Sequence, residues 1–167
     1  MYSYSPGTAH AILLQAGKSG DSERLGGNQK VDDTTKISIY FGQKVDIPVR
    51  NYWSRRAMSR FLKQQGLTGS DVNTLDHWEW DKKLWRTIPD FRNEIPKDVN
   101  GNYIKGFRFT SYQAWVVIKT SFVITQLRDD LMGTAYLEEL ATAIANPKIQ
   151  QQFLSRAVWL WELNQAA

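Results

Sequence analysis

Cysteine is absent from this chain of 167 residues. Its absence excludes a disulfide framework, a thiolate nucleophile and any zinc site built on cysteine ligands. Histidine is scarce, since only His10 and His77 are present. A histidine-based triad or a tetrahedral metal site would have to use both, and nothing in the sequence predicts that they meet. We therefore expect no metal and no cofactor.

Long apolar runs are also lacking. The most apolar stretch, Ala114 to Leu127, is interrupted by Lys119 and Gln126 and is too short to cross a bilayer. Residues 1–7 have neither the basic start nor the apolar core of a signal peptide. These features predict a soluble protein of the cytoplasm or another intracellular compartment, with no membrane partner.

Aromatic side chains are abundant, with seven Trp, seven Tyr and seven Phe. Such side chains dominate the energetics of both protein cores and contact surfaces. Residues two apart cannot share one face of a helix, which applies to Trp78 with Trp80 and to Trp159 with Trp161. Some of these indoles should then point away from the core of one subunit. We expect Trp80, Trp159 and Trp161 to form a surface for self-association into a homo-oligomer.

The first part of the chain differs in composition from the rest. Residues 1–35 are dominated by small and polar types, and only residues 10–14 look capable of regular structure. This predicts an extended N-terminal arm followed by a single domain over residues 36–167. At the start of that domain, Lys36–Gly42 alternates apolar and polar residues for part of its length and is rich in β-branched and aromatic types, and Val45–Val49 could pair with it. A small β-hairpin near 36–49 is therefore predicted, with Pro48 on its edge.

Helical periodicity dominates from Asn51 onward. A first amphipathic helix should end near Gly66, and a second should run from Asp71 to Thr87 after a cap at Ser70. Asn146 followed by Pro147 is a start signal for a final helix that reaches about Leu163.

The clearest helix is the one that follows Thr110. Thr110 with Gln113 forms a capping-box pattern, and the apolar residues after it surround the helix axis. We predict a buried central helix over 110–132. The predicted fold class is thus mostly α, with about five helices around this central helix, the small β-hairpin and the arm.

Charge is unevenly distributed along the chain. Between Lys30 and Lys63 eight Lys or Arg oppose three Asp, whereas between Asp71 and Asp98 seven acids oppose five bases. A basic surface with aromatic neighbours can hold phosphates and stack on unpaired bases. The alternative is a solvated helix face, or one that meets the acidic segment of another copy. The candidate nucleic-acid contacts are Arg50, Tyr52, Arg55, Arg56, Arg60, Lys63, Lys105 and Arg108.

One short string could carry catalytic chemistry. On a strand, His77, Glu79 and Asp81 would share a face and suit acid–base catalysis. On the helix predicted here, only His77 and Asp81 meet, four residues apart, and Glu79 points away. The helical interpretation is the one we prefer.

These observations favour a non-enzymatic assembly subunit that self-associates and holds nucleic acid, either RNA or DNA, through a basic helix face. Two alternatives stay open. One is a small phosphodiester-cleaving enzyme or toxin that uses His77 and the nearby carboxylates. The other is a protein-interaction adaptor whose basic patch meets an acidic partner.

Overall fold

The computed structural model of this chain describes residues 33–129 and 136–166. Helices dominate these residues, and one short antiparallel strand pair accompanies them, which confirms the predicted mostly α class. The helices are α1 Asp33–Phe41, α2 Arg55–Gln64, α3 Val72–Asp76, α4 Pro89–Arg92, α5 Ser111–Asp129, α6 Tyr136–Ile144, α7 Pro147–Ile149 and α8 Arg156–Ala166. The strands are β1 Tyr52–Trp53 and β2 Phe109–Thr110, and π-helical turns span His77–Asp81 and Gln150–Leu154. The predicted arm over 1–35 lies outside the described residues, except for its last three positions, where α1 begins.

Helix α5 is the element around which the others pack. It contacts α1, α2, α4, α6, α8 and both strands, and it is buried on all sides along most of its length. The predicted central helix is therefore confirmed between Ser111 and Asp129, and its last predicted positions, 130–132, lie outside the described residues. The capping box is present as well. The Gln113 N–H donates to Thr110 Oγ1 at 3.1 Å, and the Thr110 N–H donates to Gln113 Oε1 at 2.9 Å.

Polar side chains of α5 are paired inside the core. Thr120 Oγ1 accepts from Trp85 Nε1 at 3.1 Å and donates to the Val116 carbonyl at 2.7 Å. Thr125 Oγ1 accepts from the Thr68 N–H at 2.9 Å. Because a buried hydroxyl without a partner is costly, these bonds fix the loop after α2 and the Trp85 indole against the central helix.

Lys119 is the charged residue at the centre of α5. It is 3% exposed, and its Nζ lies 2.9 Å from Glu162 Oε2 of α8 and 3.3 Å from the Phe41 carbonyl at the end of α1. Glu162 Oε1 also accepts from Trp115 Nε1 at 3.1 Å. Burial lowers the pKa of Lys119, and the carboxylate of Glu162 opposes that shift. This pair ties the last helix and the first described helix to α5.

The predicted position of the β-hairpin, near 36–49, was wrong. Residues 33–41 form α1, and residues 44–50 form no regular structure. Ile37 and Phe41 are each 1% exposed, and Tyr40 packs against the core beside them, which is the spacing of a helix rather than a strand. Contact of this face with α5 and α6 overrides the β-branched composition. The strand pair forms instead between β1 and β2, with Tyr52 opposite Thr110 and Trp53 opposite Phe109.

The second predicted helix is shorter than expected. It is capped by Asp71 rather than Ser70, since Asp71 Oδ1 accepts from the Asn73 N–H at 2.8 Å. It widens into a π-helical turn and ends at Asp81, before Lys83, whose φ is +51°. The wider turn places two consecutive side chains, Trp78 and Glu79, in the interior.

The final predicted helix is interrupted. Asn146 caps it as predicted, because its Oδ1 accepts from the Lys148 N–H at 2.9 Å, and Pro147 occupies the first helical position. The extended backbone of Ser155, with ψ of 159°, then separates the π-helical turn from α8. No helix among residues 33–129 and 136–166 combines the length and hydropathy needed to cross a bilayer.

Gly69 and Gly66 provide a matched test of core packing. Both have positive φ, but a Cβ at Gly69 would lie 2.8 Å from Trp78 Cζ3, whereas a Cβ at Gly66 would meet nothing within 4 Å. We expect Gly66→Ala to cost about 1–2 kcal/mol from backbone strain alone. Gly69→Ala should cost a further 1–3 kcal/mol, approximately, because the Trp78 ring has to move. Urea unfolding of both variants checks this, and equal losses would show that the Trp78 contact is not tight.

Candidate nucleic-acid interface

Helix α2 presents opposite faces to the core and to solvent. Ser54 caps it, since its Oγ accepts from the Ala57 N–H at 3.0 Å, and Met58 and Leu62 are fully buried. Arg56, Arg60 and Lys63 are exposed, at positions i, i+4 and i+7. No carboxylate of the described residues forms an ion pair with these three side chains. We call these three residues the basic face.

The strand pair adds exposed residues next to the N-terminus of α2. Tyr52 of β1 is 60% exposed. Arg108 is exposed between the buried Phe107 and Phe109, which is the alternation of a strand with one solvent face. The guanidinium carbon of Arg50 lies 4.7 Å from the centre of the Trp53 ring. Arg50, Tyr52 and Arg108 thus remain candidate contacts near the basic face.

Arg55 does not belong to this exposed set. It is 7% exposed, and its Nη1 lies 2.5 Å from Glu79 Oε1 and 3.1 Å from Asp76 Oδ1. Its Nε donates to the Phe107 carbonyl at 3.1 Å. The guanidinium carbon is 4.7 Å from the Phe107 ring centre and 4.6 Å from that of Phe109. The structure therefore places Arg55 in the core and not on the exposed surface with Arg56, Arg60 and Lys63, so it does not bring this predicted contact together with the others.

The Arg55–Glu79 pair has a structural role. Glu79 is 1% exposed, and burial raises the pKa of its carboxyl, while the neighbouring Arg55 and, less strongly, Arg86 oppose the shift. The pair joins the first turn of α2 to the π-helical turn, and the contacts of Arg55 with Phe107 and Phe109 join both to β2. The direction in which α2 presents its basic face is fixed by these contacts.

A second group of cations packs on aromatic rings. Arg86 lies 4.5 Å from the Trp80 ring centre and 4.8 Å from that of Tyr103. Lys105 lies 5.5 Å from the Trp80 ring, and Lys97 lies 5.1 Å from the Tyr103 ring. Lys105 was predicted from sequence as a nucleic-acid contact, whereas Arg86 and Lys97 were not. Their contacts with aromatic rings join residues that are distant in sequence, and such contacts leave no local pattern. Lys105 is exposed and lies three residues before Arg108, so it stays a candidate contact.

The three tryptophans predicted to form an interface are all half-buried. Trp80 packs against Arg86 and Lys105, as described above. Trp159 lies 5.8 Å from the Tyr112 ring, and the Arg156 guanidinium carbon is 5.1 Å from the Trp159 ring centre. Trp161 is also partly exposed, next to Leu160, which is 44% exposed. Helix α8 thus carries apolar surface that solvent still reaches, and self-association through it stays a prediction.

The three candidate catalytic residues do not converge. His77 Nδ1 lies 2.9 Å from Asp81 Oδ2, and these side chains are 46% and 69% exposed. Glu79 points to the interior and pairs with Arg55. The helical interpretation of this string is confirmed. Within the described parts of the chain, no three His, Asp or Glu side chains are grouped so that they could hold a metal ion.

Comparison with protein-family models, with curated proteins and with solved structures found no match. The function is therefore inferred from the geometry of the side chains alone.

Two adjacent arginines should differ sharply in their effect on stability. Arg55→Gln leaves the buried Glu79 carboxylate without its cation and should cost about 3–5 kcal/mol of unfolding free energy. Arg56→Gln changes an exposed side chain and should stay within about 0.5 kcal/mol of the parent protein. Chemical denaturation of both variants measures the difference. A loss of similar size for the two would contradict the structural role of Arg55.

The raised pKa of Glu79 gives stability a defined dependence on pH. Because the folded state binds this proton more tightly, the stabilising contribution is complete below the ordinary value of 4.5 and decreases as pH rises through the folded pKa. The unfolding free energy of the parent minus that of Glu79→Gln should therefore decrease with pH above 4.5.

Glu138→Gln is the control of opposite sign. The hydrogen bond donated by Lys82 lowers the pKa of Glu138. The contribution of Glu138 to the free energy of unfolding is therefore present above pH 4.5 and is lost as the pH falls. Unfolding free energies measured in a series of buffers test both slopes. A Glu79 difference that rises with pH would show that Arg55, rather than burial, dominates the titration.

Proposed function

We propose that this chain is a non-enzymatic assembly subunit that self-associates and holds nucleic acid on the basic face of α2. The observation that carries the proposal is that the three cations of the basic face, Arg56, Arg60 and Lys63, are exposed and form no ion pair with a described carboxylate. A solvated helix surface would usually carry charges of both signs, which support the helix through i,i+4 pairs. At the N-terminal end of α2, the neighbouring Arg50 and Arg108 have the same sign as these three residues, and the partly exposed Asp76 is paired with Arg55.

The length of the basic face suits a phosphate backbone. Seven residues of α-helix rise about 10.5 Å between Arg56 and Lys63. One strand of a duplex carries a phosphate every 3.4 Å or so along its axis, so the basic face spans about three phosphates. The exposed Tyr52 ring, near the N-terminal end of the basic face, offers a surface for stacking on an unpaired base. This combination favours nucleic acid over an acidic protein, which would not require an exposed aromatic ring.

Binding also fits the site better than hydrolysis. A phosphodiester-cleaving enzyme needs an acid and a base that converge on one reacting group. The His77–Asp81 pair is a surface pair between neighbouring turns, and Glu79 is held in the core by Arg55.

Self-association is supported by the half-buried Trp159 and Trp161 and the exposed Leu160 on α8, since aromatic residues are enriched at interfaces.

Reversing two charges of the basic face should remove the binding. For Arg56→Glu with Arg60→Glu, we expect the affinity for a fluorescent single-stranded oligonucleotide to fall at least tenfold. The slope of log K against log salt should become shallower by about 1.4, because each lost phosphate contact contributes about 0.7 on a single strand. Fluorescence anisotropy over a range of salt concentrations measures both quantities, with RNA, DNA and duplex probes compared.

The matched control reverses the same number of charges elsewhere. Lys83 and Lys148 are both exposed, and neither forms an ion pair with a described carboxylate. Lys83→Glu with Lys148→Glu gives the same net charge and should retain most of the affinity. If both double variants lose binding equally, only net charge matters. If neither does, the basic face is a solvated surface and the proposal fails.

A further inference from the structure

Residues 45–49 have the pattern of a strand but no strand beside them. Val45, Ile47 and Val49 alternate with Asp46 and Pro48, and the structure describes this segment without regular secondary structure. Among the described residues, none forms a backbone hydrogen bond with residues 44–49. Most of this segment is exposed, so water can bond to its backbone, but an edge without a neighbouring strand is also a template for the addition of another strand.

The same segment forms one wall of a groove. The groove has a volume of about 470 Å³, and its other walls include Phe61 of α2, Trp115 of α5, and Trp159 and Leu163 of α8. Its lining is mostly apolar. The Trp115 indole in its wall is held in place by the hydrogen bond to Glu162 described above. A groove of this size between fixed aromatic walls suits the apolar side chains of an extended peptide.

The proline in this segment leaves one edge complete. Along a strand, the N–H and C=O groups of alternate residues point to the same side. Pro48 therefore removes a donor only from the edge that it shares with Asp46. The edge formed by Val45, Ile47 and Val49 keeps all of its donors and acceptors, so it can pair with an added strand.

We propose that this groove binds the apolar run Ala11–Leu14 of a second copy, added as a strand along residues 45–49. The inference rests on the proposed self-association and assigns it a specific contact. Between residues 1 and 32, Ala11-Ile12-Leu13-Leu14 is the longest run of aliphatic residues. It matches the chemistry of the groove walls, and alternate side chains of a strand enter such a groove.

The length of the intervening chain allows this contact between copies. Eighteen residues, 15–32, separate Leu14 from the start of α1 at Asp33. Fully extended, they span about 60 Å. A domain of this chain length has a radius of gyration of about 15 Å, so the run can reach the groove of an adjacent subunit.

The cysteine-free chain permits a direct test of the contact. One population carries Leu14→Cys alone, and a second population, with a tag of different mass, carries Val49→Cys alone. After mixing and treatment with a short bis-maleimide, we expect a crosslinked heterodimer. The matched control replaces the second population by Val99→Cys, because Val99 is also an exposed valine, on a turn away from the groove. Heterodimer yield should be at least tenfold higher with Val49→Cys than with Val99→Cys.

The outcomes separate this inference from the proposed function. Adding Leu13→Asp to the Leu14→Cys population should abolish the preference for Val49→Cys. Equal yields with Val49→Cys and Val99→Cys would overturn groove docking. Crosslinking only within single chains of a Leu14→Cys, Val49→Cys double variant would overturn docking between copies. Light scattering on the unmodified protein then distinguishes two failures. Oligomers without the preferred crosslink reject the groove alone, whereas a monomer at all concentrations also rejects self-association.

Discussion

A guanidinium in a protein interior needs an opposite charge and hydrogen-bond acceptors, and Arg55 obtains both from two separate parts of the chain. The carboxylate of Glu79 supplies the charge, the Phe107 carbonyl accepts a hydrogen bond, and the ring centres of Phe107 and Phe109 lie 4.7 and 4.6 Å from the guanidinium carbon. Because Arg55, Glu79 and Phe109 belong to three different elements, the contacts of this one side chain link α2, the π-helical turn and β2. The outward direction of the basic face follows from it.

Local signals in the sequence were sufficient to predict the elements that are stabilised by contacts between neighbouring residues. The capping box of Thr110 and Gln113 and the Asn146–Pro147 start are defined by residues within one turn of each other, so they could be predicted without knowledge of the fold. The central helix was predictable for a related reason. A helix with apolar residues on every side has no face suited to solvent, so it is expected at the centre of the domain.

Features that depend on distant residues could not be predicted. Residues 36–41 have strand-like composition, yet contact with α5 and α6 selects a helix. Arg55 and Arg56 are adjacent residues of the same type, and helical spacing places Arg55 on the face of the buried Met58 and Leu62. The candidate site was therefore predictable as a basic helix with aromatic neighbours, but the distant partners that hold Arg55 in the core were not predictable. The contacts of Arg86 and Lys97 with Trp80 and Tyr103 likewise arise from tertiary structure.

The ammonium of Lys119 determines how the helices around α5 are aligned along its axis. An apolar seam between two helices can slide by a turn, about 5.4 Å, and still bury similar surface. Lys119 removes that freedom, because its Nζ is satisfied only where the Phe41 carbonyl of α1 and the Glu162 carboxylate of α8 both reach it. A shift of α8 by one turn would leave the charge of Lys119 in the core without its carboxylate, and a shift of α1 by one turn would remove the carbonyl acceptor. One lysine thus selects a single register from several that hydrophobic burial alone would permit.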